Sequence, residues 1–157
     1  MSSDHPEYYP IDPSPFSFAI VAARYNERLA QALLVRVEET LKKGGMPKEL
    51  IIERVPGSHE IPAALKMLMQ SKTFSCLIAL GVVVKGGTSH HQLVADSAGQ
   101  AIQSLVVEYG TPIINGIIVT DDYFSAETRI TGSVDRGNEF AQAALQMAQL
   151  KMKWTST

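Results

Sequence analysis

Cys76-Leu77-Ile78-Ala79-Leu80-Gly81-Val82-Val83-Val84, followed at once by Lys85-Gly86-Gly87-Thr88-Ser89, is the stretch that decides the fold. Nine residues without a charge or a polar alternation describe a strand buried on both faces. After the glycine-rich turn, the pattern from about His90 to Tyr109 sets Val94, Ala98, Ala101, Ile102 and Leu105 on one side of a helix, which Gly110-Thr111-Pro112 ends. A two-sided strand feeding a long helix is the repeating piece of a parallel sheet.

The same alternation extends in both directions. Toward the N-terminus, Phe16 to Ala22 is an apolar run. Glu27 to Lys43 then carries Leu29, Leu33, Val37 and Leu41 at spacing four, beside Ala30 and Leu34. That is one helical stripe, with Asn26 placed to cap its start and Gly44-Gly45 to end it. Leu50 to Val55 is a second strand, broken by Pro56-Gly57-Ser58, and Glu60 to Ser71 is a helix with Pro62 in its first turn. Toward the C-terminus, Pro112 to Val119 is a fourth strand and a short helix starts near Ser125. A last helix, about Gly137 to Lys151, groups Phe140, Ala144, Met147 and Ala148.

Strand and helix alternate four times, which predicts an α/β protein. The expected form is a three-layer α/β/α sandwich around a central parallel four-stranded sheet, with right-handed crossovers. Residues 1–15 hold Pro6, Pro10, Pro13 and Pro15 and read as an extended or disordered N-terminal arm; residues 16–157 read as a single domain.

Composition narrows the function classes. A net charge of -2 offers no basic surface for nucleic acid or an anionic membrane, so any phosphate chemistry must be local. The lone cysteine, Cys76, excludes an internal disulfide and reads as a small core residue. No apolar stretch reaches the roughly 18 residues of a membrane span. Met1 to Pro15 lacks the basic start and apolar run of a secretory signal, so a cytoplasmic protein is expected.

In open parallel sheets, ligands sit beyond the carboxyl ends of the strands. That rule selects Arg24-Tyr25-Asn26, Pro56 to Glu60, Lys85 to His91, and Thr120 to Tyr123. Gly86-Gly87-Thr88-Ser89 at a helix start is either a phosphate cradle or a plain tight turn. A nucleotide P-loop is excluded, since Gly87 stands where the lysine belongs, and no G-x-G-x-x-G is present. His90 and His91 are surface or capping histidines, or a neutral imidazole placed to move protons. Zinc is excluded by the absence of a cysteine pair and of H-E-x-x-H, and no metal site is expected. Glu60 complements the helix dipole or accepts ligand hydroxyls. Tyr25 is a half-buried aromatic or a stacking platform. Arg129 is a solvated charge or a phosphate clamp.

Together these segments resemble one family. Ala23-Arg24-Tyr25-Asn26, Val55-Pro56-Gly57-Ser58-His59-Glu60-Ile61-Pro62 and Leu80 to His90 look like the three signature segments of the lumazine synthases, in order and at similar spacing, within a likeness spanning about residues 16 to 152. The resemblance implies a flavodoxin-like sandwich that condenses 5-amino-6-(ribitylamino)uracil with 3,4-dihydroxy-2-butanone 4-phosphate, in the penultimate step of riboflavin biosynthesis. No cofactor is implied; the partners are small-molecule substrates and further copies of the chain, in a pentamer or a multiple of pentamers.

By the same resemblance, Tyr25 stacks on the pyrimidine, and Ser58, His59 and Glu60 hold the ribityl chain. The backbone of Val82, Val83 and Val84 reads the uracil edge. Gly87, Thr88 and Arg129 bind phosphate, His90 transfers protons, and Asn115 reaches the pyrimidine site of the next subunit. Three departures stand out. Asn115 replaces a usual aromatic. His59 stands where an apolar or aromatic residue is common, and carries no catalytic role. Thr131 to Gly137 lacks the family's frequent lysine- and glycine-rich turn, with Arg136 in place of a lysine. The alternative is a flavodoxin-like module that binds a flavin or phosphorylated ligand without catalysis. It lacks the Ser/Thr-rich phosphate loop after the first strand, where Arg24-Tyr25-Asn26 stands.

Overall fold

The computed structural model describes residues 4–155. Four strands, β1 (Ser17–Ala23), β2 (Glu49–Val55), β3 (Cys76–Val84) and β4 (Ile113–Thr120), form one parallel sheet in the order β2-β1-β3-β4. The helices are α1 (Glu27–Leu41), α2 (Ile61–Ser71), α3 (His90–Tyr109), α4 (Tyr123–Ile130) and α5 (Arg136–Thr155). Successive residues of β1 and β3 point to opposite faces, and both faces are covered. Phe18, Ile20, Ala22, Ile78 and Leu80 pack with α1, α4 and α5. Ala19, Val21, Leu77 and Ala79 pack with α2 and α3. The unbroken apolar run of β3 is therefore a consequence of two-sided burial.

The stripe expected on α1 is the stripe that is buried: Leu29, Ala30, Leu33, Leu34, Val37 and Leu41. On α3, Ala98, Ile102 and Leu105 are buried, while Val94 and Ala101 are half-buried. On α5 the buried face runs through Phe140, Ala141, Ala144, Leu145 and Ala148, which leaves Met147 on its rim and 37% exposed. Met147 is thus a correction to the expected apolar face.

Element starts follow their caps. α4 begins two residues before Ser125 because Asp122 Oδ1 accepts from the Ser125 N–H at 2.7 Å. Asn26 stands at the N-cap position of α1, where its carbonyl accepts from the Leu29 and Ala30 N–H groups, but its side chain makes no capping bond. Its backbone is left-handed (φ 58°, ψ 51°), and its side chain turns away to the sheet. Short side chains that bond locally tolerate this conformation best after glycine. Of the N-terminal arm, residues 1–3 lie outside the described residues. Residues 4–13 adopt neither helix nor strand, although Ile11 is buried against the core and the Tyr9 hydroxyl donates to Gln149 Oε1 at 3.3 Å.

From β1 the chain steps outward to β2, then returns past β1 to β3. The loops leaving β1 and β3 therefore diverge toward opposite faces and open a crevice at their carboxyl ends.

Candidate functional site

A cavity of about 550 Å³ occupies that crevice. The loop after β1 supplies Tyr25, which is 72% exposed and free to meet a planar ligand, and Asn26. The Arg24 N–H donates to the carbonyls of Val55 (2.9 Å) and Pro56 (3.1 Å), clamping this loop to the one after β2. Asn26 Nδ2 donates to the Val82 carbonyl at 2.8 Å, clamping it to β3 as well.

The loop after β2 closes into a 3-10 turn, Ser58–Glu60, ahead of α2. Glu60 Oε2 accepts from the Gly57 N–H at 2.9 Å, which fixes the carboxylate and leaves Oε1 for a ligand. A Cβ on Gly57 would stand 3.2 Å from Tyr25 Cδ2, so ring and loop are already in close contact. Ser58 is only 5% exposed and lines the cavity, and among the described residues its hydroxyl makes no hydrogen bond. It packs over Gly81, where a Cβ would fall 2.3 Å from Ser58 Oγ. His59 lines the cavity and is exposed.

The end of β3 brings Val82, Val83 and Val84, the first buried and the other two half-buried. Gly86 and Thr88 of the following turn line the cavity; Gly87, between them, does not. Thr88 Oγ1 accepts from the His90 N–H at 3.3 Å, so its hydroxyl hydrogen stays available. His90, His91, Leu93 and Val94 complete the wall from the first turns of α3. His90 is exposed, on the same chain and in the same cavity as Tyr25 and Glu60.

Two expected site residues stand apart. Arg129 lines an adjoining cavity of about 280 Å³ with His91, Asp121, Asp122 and Ser125, and its Nη1 donates to the Ser125 carbonyl at 2.9 Å. The Asp122 carboxyl lies below the ordinary range because the Ser125 N–H and hydroxyl donate to it, with Arg129 adding attraction. Asn115 sits on the exposed edge strand β4, its Oδ1 accepting from the Ile117 N–H at 3.1 Å. It lines a third cavity, of about 280 Å³, beside Tyr8, Arg136 and Phe140. The ends of β1, β2 and β3 thus gather Tyr25, Ser58, His59, Glu60, Val82 to Val84, Thr88 and His90, but neither Asn115 nor Arg129.

Of the cavity lining, sequence reasoning missed Leu93 and Val94; it also missed the packing of Gly81 under Ser58 and the bridging role of Asn26. Gly81 had a readable signal, since a lone glycine inside a buried strand marks a close approach by another segment. Leu93 and Val94 had none, because the apolar stripe of α3 absorbs them. Among the described residues, no three His, Cys, Asp or Glu side chains group as metal ligands, and no helix is long and apolar enough to cross a membrane.

The model of the 6,7-dimethyl-8-ribityllumazine synthase family matches residues 15–152. Similar proteins carry that name. One from Polaromonas sp. (strain JS666 / ATCC BAA-500) is 36% identical, over 89% of this chain and 90% of its own length. One from Xanthomonas euvesicatoria pv. vesicatoria (strain 85-10) is 36% identical over 88% and 91%. One from Xylella fastidiosa (strain M12) is 36% identical over 90% and 93%. With a family model matching residues 15–152 and relatives alike over nearly the whole length, the chain belongs to the 6,7-dimethyl-8-ribityllumazine synthase family.

Proposed function

We propose that the protein condenses 5-amino-6-(ribitylamino)uracil with 3,4-dihydroxy-2-butanone 4-phosphate to give 6,7-dimethyl-8-ribityllumazine, inorganic phosphate and two waters. One observation carries this reading. In a member of this family, a single cavity joins an exposed ring (Tyr25), a fixed carboxylate (Glu60), two residues of a glycine-rich turn (Gly86 and Thr88) and an imidazole (His90).

The pyrimidine stacks on Tyr25, with its ribityl hydroxyls toward Ser58, His59 and Glu60 and its uracil edge along the backbone of Val82 to Val84. The 5-amino group attacks the ketone carbon, and loss of water gives an imine. A proton leaves C3 and the C4–O bond breaks, releasing phosphate. The resulting enol becomes a ketone, the ribityl-bearing nitrogen attacks it, and a second water leaves as the ring closes. His90 moves protons in these steps. Gly87, Thr88 and Arg129 take the charge of the departing phosphate. Much of the acceleration comes from holding two substrates at one distance and angle.

The reading includes a ring of five copies acting in the cytosol. Its support is the separation of Arg129 and Asn115 from the main cavity of their own chain. Each serves a neighbour's site in a head-to-tail ring, a geometry that closes on itself. Residues 1–15 are read as an arm and 16–157 as the domain, with the described part of the arm lying on its own domain through Ile11 and Tyr9. The turn from Thr131 to Gly137, without the lysine-glycine pattern, favours free or paired pentamers over a 60-subunit shell. Incubation with both substrates tests the reaction through the fluorescence of the lumazine. A preparation that forms none, and instead retains a flavin through gel filtration, is a carrier and not this enzyme.

A further inference from the structure

We propose that His91 is a second ligand-contacting imidazole of the site, which hydrogen-bonds the phosphate group of the phosphorylated substrate through Nε2. The inference rests on the reading above, and it concerns a residue to which neither the family likeness nor that reading assigns a role.

Three observations carry it. First, among the described residues His91 is the one side chain common to the walls of both cavities. Thr88 and His90 lie in one; Arg129, Asp121 and Asp122 lie in the other. A phosphate held at the Thr88 turn meets His91, which stands in the same wall one residue beyond His90. Second, the ring is oriented. Its Nδ1 lies 3.2 Å from the Thr88 carbonyl oxygen. A carbonyl only accepts, so Nδ1 carries the hydrogen and Nε2 is the nitrogen left for a ligand. The same contact joins the ring to the turn that carries Thr88. Third, the surroundings leave Nε2 without a competing partner: among the described residues, the ring makes no other hydrogen bond.

The chemistry matches. Phosphate oxygens accept hydrogen bonds and a phosphate O–H donates one, so a ring nitrogen can pair with the group as donor or as acceptor. The charged or titratable groups sharing the two cavity walls with His91 are Tyr25 of the β1–α1 loop, His59 and Glu60 of the 3-10 turn, Asp121 and Asp122 before α4, Arg129 of α4, and His90 of its own helix.

Two substitutions separate the nitrogens. His91→Asn keeps a donor near the Nδ1 position, toward Thr88, and removes Nε2. His91→Gln places an amide nitrogen near Nε2 instead. The proposal predicts that His91→Asn raises KM for the butanone phosphate roughly tenfold, as expected for a lost hydrogen bond to a charged group. It leaves KM for the pyrimidine unchanged, and His91→Gln recovers part of the loss. Calorimetry with inorganic phosphate alone follows the same order: wild type, then His91→Gln, then His91→Asn. Unchanged phosphate affinity in His91→Asn overturns the proposal, and so does a parallel rise in both KM values, which marks a general disturbance of the turn. Because the calorimetric arm needs no turnover, a wild type that forms no lumazine would sink the proposed function and leave the His91 comparison decisive on its own.

Discussion

Asn26 Nδ2 and the Val82 carbonyl, 2.8 Å apart, join the loop after β1 to the end of β3 across the point where the strand order reverses. Asn26 makes the bond from a left-handed backbone, with its side chain turned to the sheet rather than to the helix it precedes. Asn26→Asp keeps the size but replaces a donor by a carboxylate facing a carbonyl. It should cost about 1–3 kcal/mol of stability. Asn26→Gly keeps the backbone conformation and loses only the bond, at about 1 kcal/mol. Urea unfolding of both variants checks this; equal stability of wild type and Asn26→Asp would show the bond to be idle.

Ser58 and Gly81 are coupled by the space between them. Gly81→Ala places a methyl 2.3 Å from Ser58 Oγ, which drives the hydroxyl from its position or displaces the 3-10 turn that carries Glu60. Pyrimidine affinity should fall several-fold. In Ser58→Ala/Gly81→Ala the hydroxyl is gone and the added methyl meets Cβ of residue 58 at 3.4 Å, an ordinary contact. The double variant should therefore bind the pyrimidine better than Gly81→Ala alone, a non-additivity that a mutant cycle measures directly. Strict additivity would contradict the coupling.

The sheet was legible because its pattern is redundant. β3 reads as a strand from nine successive residues, and α1 from six apolar positions on one stripe. The crevice followed from a topological rule before any side chain was assigned. What escaped depended on three-dimensional placement. Asn26 has the composition of a helix cap and the geometry of a bridge, and no local pattern distinguishes the two. Arg129 lies six residues after the selected segment Thr120 to Tyr123, and helix α4 places it with Thr120, Asp121 and Asp122 in a cavity apart from Tyr25 and Glu60. Met147 sits at helical spacing from Ala144, but on the rim of a face whose centre is set by packing against α1.

Subunit mixing tests whether that separation has a purpose. His90→Ala and Arg129→Ala should each lower activity by about 10²-fold or more, the lower range for a lost proton-transfer group. If Arg129 serves a neighbour's cavity, an equal mixture refolded together contains intact sites wherever a normal His90 meets a normal Arg129. Random assembly of a head-to-tail ring makes about one site in four intact. Recovery near a quarter of wild-type activity is the expected result; no recovery above the separate variants would place both residues in the same chain's site.

Asp135 starts α5, accepting from the Asn138 N–H at 3.1 Å, and pairs with Arg36 of α1 through Nη2 at 2.6 Å. Burial pushes its carboxyl up, but the hydrogen bonds from Arg36 and Asn138 outweigh this and hold it below the ordinary carboxylate range. A lowered folded value means stability present above the unfolded value of about 4 and lost as pH falls through the folded one. Both side chains are more than a third exposed, so solvent screening keeps the contribution under about 1 kcal/mol. Asp135→Asn should be slightly less stable than wild type at pH 7, with the difference closing below about pH 4. A difference that widens in acid would reverse the sign of this assignment.

The central claim is that the cavity at the carboxyl ends of β1, β2 and β3 couples carbon–nitrogen bond formation to phosphate loss. Lumazine fluorescence and inorganic phosphate, followed together in one reaction of the wild-type protein, test it most directly. The account predicts one phosphate released per lumazine formed, and enzyme-dependent release of either only when both substrates are present. Enzyme-dependent phosphate release from the butanone phosphate alone, or no lumazine from the pair, would contradict it.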